Sequence, residues 1–112
     1  MNRISNLLPK LTKGPTSNMK TLLSNLSPSE IIPEVDKYYV FVYKAKTNNI
    51  QYDCHPFIVC TGVYKWGFSG YNFHWDDYRR YSWAEVVSNL YPIHDEELND
   101  MQKAPIAKFI SN

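Results

Sequence analysis

Tyr38-Tyr39-Val40-Phe41-Val42-Tyr43-Lys44-Ala45-Lys46 is the stretch whose reading decides the fold. It is mostly β-branched and aromatic, a composition that suits a pleated, packed strand. Alternation places Tyr39, Phe41 and Tyr43 on one side and Tyr38, Val40 and Val42 on the other. Both sides are apolar, so the strand is expected to be central and covered twice. Beyond it, Thr47-Asn48-Asn49 is a turn signal, and residues 50–53 begin a returning strand.

Residues 57–64 read as a second strand. Lys65-Trp66-Gly67 supplies a tight turn, with Gly67 at a positive φ. A third strand runs over residues 68–75, and Gly70 within it predicts a bulge or bend. Asp76 then suits a helix N-cap, and residues 81–90 have helical character. Ser82 and Glu85 fit a capping box, Trp83, Val86, Val87 and Leu90 fall on one face, and Pro92 stops the helix. The expected fold is β-rich (α+β). It is a small bent antiparallel sheet or an SH3-like small barrel, with one C-terminal helix closing a side and an extended N-terminal arm.

Sixteen of the seventeen aromatic residues lie between Tyr38 and Tyr91, so the expected core occupies residues 36–93. The chain has 112 residues, enough for one domain, and a net charge of +1 that selects no partner class. Charge is unevenly placed. No acidic residue occurs in the first twenty-nine, where Arg3, Lys10, Lys13 and Lys20 sit, while Asp95, Glu96, Glu97 and Asp100 follow the core. Two cysteines make no disulfide framework. No leader peptide and no membrane span is expected.

Residues 1–35 read as an arm. Ile4, Leu7, Leu8 and Leu11 have helical spacing that Pro9 interrupts, and Gly14-Pro15 is a break. Thr16 or Ser17 can cap a short helix with Met19, Leu22, Leu23 and Leu26 on one face, ended by Pro28 and Pro33. Residues 94–112 read as a solvated acidic linker and an apolar tail bearing Ile106, Phe109 and Ile110. The stripe of the short helix needs a partner, either the chain's own core or a neighbouring subunit. Met19, Leu22, Leu23, Leu26, Phe109 and Ile110 are the expected anchors on other proteins.

Signals for chemistry are sparse. Cys54, His55, Cys60 and His74 are zinc-type ligands, but the cysteines are six apart and no second close pair exists. His74-Trp75-Asp76-Asp77 offers a base with carboxylates, yet no nucleophile motif or phosphate-binding loop accompanies it. The expectation is no catalysis, no metal and no cofactor. Tyr71, His74, Tyr78, Arg79 and Arg80, with Trp75 and Tyr81 nearby, form a candidate contact surface. Aromatic faces stack on bases and guanidinium groups bind phosphate, although Asp76 and Asp77 weaken the local field. Nucleic acid contact is therefore the second reading.

One composite pattern carries a resemblance. Tyr52-Asp53-Cys54-His55-Pro56-Phe57 is followed by Gly67-Phe68-x-Gly70-x-Asn72-x-His74-Trp75 and Arg79-x-Tyr81-x-Trp83. Over residues 38–83 this resembles small proteins of tailed bacteriophages, of the T4-like and other large myovirus kind. Trp75 stands where those often carry Tyr, and the segment after it lacks their prolines. The resemblance implies a virion structural or assembly protein, made in the host cytoplasm and located in the particle, bound to other virion proteins. It leaves open head, neck, tail or baseplate.

Overall fold

The strand with two apolar faces lies inside a sheet. The computed structural model describes residues 2–26, 31–106 and 108–111. Its strands are β1 (Tyr38–Val40), β2 (Gln51–Asp53), β3 (Phe57–Val63), β4 (Gly67–Asn72), β5 (Asp77–Ser82), β6 (Tyr91–Ile93) and β7 (Phe109–Ser111). Five form an antiparallel sheet in the order β5-β4-β3-β1-β6, and β2 pairs with β7 in a second, two-stranded sheet. The helices α1 (Arg3–Leu7), α2 (Pro15–Asn25) and α3 (Leu98–Lys103) are short. The protein is thus a small β-rich domain with an antiparallel sheet.

β1 is covered twice, as its sequence requires. Val40 joins Phe57 and Ile93 under the helices, while Tyr39 and Phe41 join Ile58, Phe68, Tyr81 and Leu90 on the other side. In this second core Phe41 meets Tyr81 edge-on at 5.2 Å and Phe68 at 5.5 Å, the geometry that aromatic quadrupoles favour. After Val40 the chain leaves the ladder. Its continuation bonds to residues after β5: Lys44 N donates to Glu85 O, Val87 N donates to Val42 O, and Tyr43 bridges Val86.

The expected helix over residues 81–90 is absent. Tyr81 and Ser82 finish β5, Trp83–Glu85 makes one 3-10 turn, and Val86 is extended. The reason is local competition. Ser82 Oγ donates to the Glu85 carboxylate at 2.6 Å instead of accepting a backbone N–H, so no cap forms. Glu85 also accepts from Tyr43 Oη and from Lys46 N, which hold it to the continuation of β1. Ser82 first, then the Lys46 amide, hold its carboxyl below the ordinary range.

The other turns differ in detail from the sequence reading. Asp76 adopts φ 56° in the β4–β5 turn and caps no helix; aspartate tolerates that left-handed region. The register shift lies on β3 between Cys60 and Gly62, not at Gly70. Gly67 is required by close approach, since a Cβ there would run into the Tyr81 carbonyl oxygen.

The N-terminal segment is core, not a free arm. Ile4, Leu7, Leu11, Met19, Leu22 and Leu26 are all at most 5% exposed and share one cluster with Val40 and Phe57. α2 begins at Pro15 with Gly14 as its N-cap, two residues before Thr16 and three before Ser17, and the break expected at Pro28 lies outside the described residues. Burying six such side chains contributes about 9–18 kcal/mol gross at ~1.5–3 kcal/mol each. The acidic segment is exposed at Asp95 and Glu96 but is not a linker, since residues 95–103 fold into a 3-10 turn and α3. Met101 and Glu97 are fully buried. Arg3 Nε and Nη2 grip both Glu97 carboxylate oxygens at 2.9 and 2.8 Å.

Two expectations follow. Leu22→Ala should lower stability by about 2–5 kcal/mol in denaturant titration, because a core position is emptied. Burial acts to raise the Glu97 pKa, but the Arg3 bonds and the His94 amide outweigh it, leaving it below 4.5. A depressed folded pKa gives stability that is complete above the unfolded value and lost as pH falls through the folded one. Unfolding free energy should therefore fall with acidification below pH 4.5 in the native chain and less steeply in Glu97→Gln. At neutral pH that variant should lose about 2–3 kcal/mol, less than a fully buried pair because the Arg3 side chain is 35% exposed.

Candidate functional site

The β4–β5 hairpin is built on a buried polar cluster. Asn72, fully buried at the end of β4, accepts the His74 and Trp75 amides on Oδ1 at 2.8 and 3.1 Å. This Asx turn sets the path of residues 73–76. Asn72 Nδ2 donates to Asp53 Oδ2 at 3.1 Å and to Tyr81 Oη at 3.0 Å. Asp53 comes from β2; its Oδ1 accepts the His55 amide at 3.0 Å, and its Oδ2 lies 2.7 Å from His74 Nδ1. Burial raises the Tyr81 hydroxyl well above its ordinary range, so it stays protonated.

The His74–Asp53 pair has the form of an oriented general base, but its reach is poor. With the proton on Nδ1 facing the carboxylate, Nε2 is the free atom, and it is buried without a hydrogen-bond partner. The rings of Phe57 and Phe109 stand 6.4 and 6.5 Å from the imidazole. His55 Nδ1 is similarly enclosed, and burial lowers that histidine's pKa. Among the described residues no group of three or more His, Cys, Asp or Glu is placed to hold a metal ion. Burial also raises both thiols, Cys54 and Cys60, away from the thiolate that ligation needs.

Above this cluster the hairpin presents cations laid on aromatic rings. The Arg79 guanidinium lies 4.8 Å over the Trp75 ring, and Arg80 lies 5.8 Å over Trp66. Trp66 stacks on Tyr64 at 5.1 Å with planes 6° apart. Trp75 rests on Phe109 at 4.7 Å, so β7 supports the hairpin tip. Tyr78 meets Tyr71 edge-on at 5.2 Å and is 69% exposed.

Of the expected surface residues, Tyr71 and Tyr78 meet on one face of the hairpin, which Arg80 shares through its place opposite Ser69, while Arg79 lies opposite Gly70 on the other face. His74 does not reach the surface, because its side chain is 2% exposed and serves the cluster beneath. Tyr81 belongs to the second core. Met19, Leu22 and Leu26 are in the chain's own core and cannot anchor a partner without unfolding it; Leu23 is half-buried against the same core. Phe109 and Ile110 are half-exposed on β7. Sequence reasoning passes over Tyr64 and Trp66; their signal is a pair of large aromatics flanking Lys65 in a hairpin turn. A separate groove of about 560 Å³ is lined by Ile31, Ile32, Trp83, Val86 and Val87.

No protein-family model, curated protein or solved structure matches the chain. Among the described residues no helix is long and apolar enough to cross a membrane.

Asn72→Ala should strip four hydrogen bonds from the turn. The expected loss is about 2–4 kcal/mol in chemical denaturation, since a buried carboxylate and a hydroxyl lose a partner. A loss below about 1 kcal/mol would mean that the cluster does not hold the hairpin.

Proposed function

We propose that the chain is a non-catalytic structural subunit of a tailed-phage particle, held to its neighbours by the surface of the β4–β5 hairpin. The observation that carries this is the placement of Arg79 over Trp75 and Arg80 over Trp66, one on each face of a hairpin whose tip is fixed by Asp53 and Asn72. Rigid aromatic and arginine side chains lose little entropy when a partner seals them from water, and such residues dominate protein interfaces. The phage setting rests on the resemblance over residues 38–83. Phe109 and Ile110 add apolar area beside the hairpin tip. The curl of the sheet and the Tyr43–Val86 bridge support a finer reading of the fold, a small SH3-like barrel.

The enclosed Nε2 of His74 supports assigning the polar cluster to structure. Nucleic acid contact is the second reading, favoured by the two guanidinium groups. Against it, Trp75 and Trp66 already carry arginine or tyrosine on their faces, and Asp76 and Asp77 adjoin the arginines.

Particles purified from infected cells that make the native chain or an Arg79→Glu, Arg80→Glu variant test the reading. The native chain should co-purify at a fixed ratio to the major virion proteins, and the folded variant should be lost by tenfold or more. A native chain missing from particles would overturn the assignment. A salt-steep gel shift with single-stranded DNA that the variant abolishes would put the second reading first.

A further inference from the structure

The five-stranded sheet has two edges, and they are treated differently. β6 is three residues long, contains Pro92, and the Pro92 carbonyl accepts from Arg3 Nη2. Shortness and proline are ordinary guards against edge pairing. β5 is six residues long, has no proline and runs in unbroken register against β4. No strand pairs with its other side among the described residues. Its first four residues are all exposed. Alternate backbone N–H and C=O groups of such a strand point outward. At its centre the Tyr78 amide donates to Asp77 Oδ1 of its own copy at 2.8 Å, an exposed local bond that strand pairing would exchange.

The side chains along this edge are Asp76-Asp77-Tyr78-Arg79-Arg80. Their charges invert about Tyr78. Consider two copies related by a two-fold axis perpendicular to the sheet, with β5 antiparallel to β5. That operation keeps each sheet face on its own side, so facing residues must come from the same face. A register centred on Tyr78 meets the condition. It sets Asp77 of each copy opposite Arg79 of the other and places Tyr78 opposite Tyr78. The next register, centred on Arg79, faces Arg79 with Arg79. Charge therefore selects one alignment. Within a single copy Arg79 Nε is only 4.0 Å from Asp77 Oδ2, and both are largely exposed, so that contact competes weakly. The indole rings of Trp75 and Trp66 hold the two guanidinium groups in place beforehand.

We propose that β5 pairs with β5 of a second copy in this register, giving a symmetric dimer with one sheet running through both copies. The proposal rests on reading the hairpin as an assembly surface and names its first partner. So short an interface falls below about 1,200 Å², so association is weak, in the micromolar range, and is reduced by salt.

Sedimentation of the full chain across micromolar concentrations, at low and high salt, tests this. The native chain should pass from monomer to dimer with concentration, and less readily in salt. Asp77→Arg and Arg79→Asp each set like charges face to face and should stay monomeric. An equimolar mixture of the two should dimerise, because every central facing pair is then opposite in charge. Asp77 and Arg79 are exposed, so circular dichroism should be unchanged and Tm should shift by only a few degrees, from the loss of the Asp77 bond to the Tyr78 amide or of the Arg79 contact with Trp75. A native chain that is monomeric throughout, single variants that dimerise as well as it does, or a mixture that stays monomeric would overturn the proposal. Incorporation into particles without a dimer would defeat the dimer alone; a dimer absent from particles would defeat only the assembly reading.

Discussion

A strand that is apolar on both faces has to be buried on both faces. β1 imposes that condition, and the rest of the chain meets it in two ways. On one side α1, α2 and α3 supply Ile4, Leu22 and Met101 over Val40. On the other side the sheet turns back on itself, so that Phe68 and Tyr81 cover Tyr39 and Phe41. Neither cover can be dispensed with, because an exposed β1 would leave large aromatic and β-branched side chains in water. The terminal segments are therefore recruited into the fold, although their composition reads as peripheral.

A second constraint is polar. Asp53 brings a carboxylate into a nearly dry place, where it is tolerable only with its partners present. Asn72, His74 and the His55 amide are those partners, and each lies in the hairpin or the turn beside it. Desolvation thus ties the small β2–β7 sheet to the tip of the larger one. Trp75, with Arg79 over its ring, gains its fixed position from this buried bond set, which makes that part of the exposed surface a consequence of interior chemistry.

Much of the sheet is legible in the sequence. β3 and β4 follow from β-branched and aromatic content with a turn between them, and the double burial of β1 follows from its two apolar faces. The left-handed Asn49 falls in the expected turn. The failures share a cause, since local pattern carries no information about distant partners. Ser82 and Glu85 have the spacing of a capping box, yet Tyr43 and Lys46, some forty residues earlier, claim the carboxylate. Glu97 looks solvated until Arg3 is placed beside it. Met19 and Leu22 form a helix face whose partner cannot be read from periodicity alone. At the site, the composition of the Arg79–Arg80 surface is legible, whereas the burial of His74 depends on Asp53, twenty-one positions earlier.

The Arg3–Glu97 contact joins residues 94 positions apart. Closing so long a loop carries a conformational entropy that nearby contacts avoid. The aromatic core around Phe41, Phe68 and Tyr81 draws on a much shorter span of chain. The two halves of the fold therefore differ in the loop entropy their contacts must overcome. The half of the molecule that carries the hairpin is thus knit by short loops, while the other half is a clasp between the two ends of the chain.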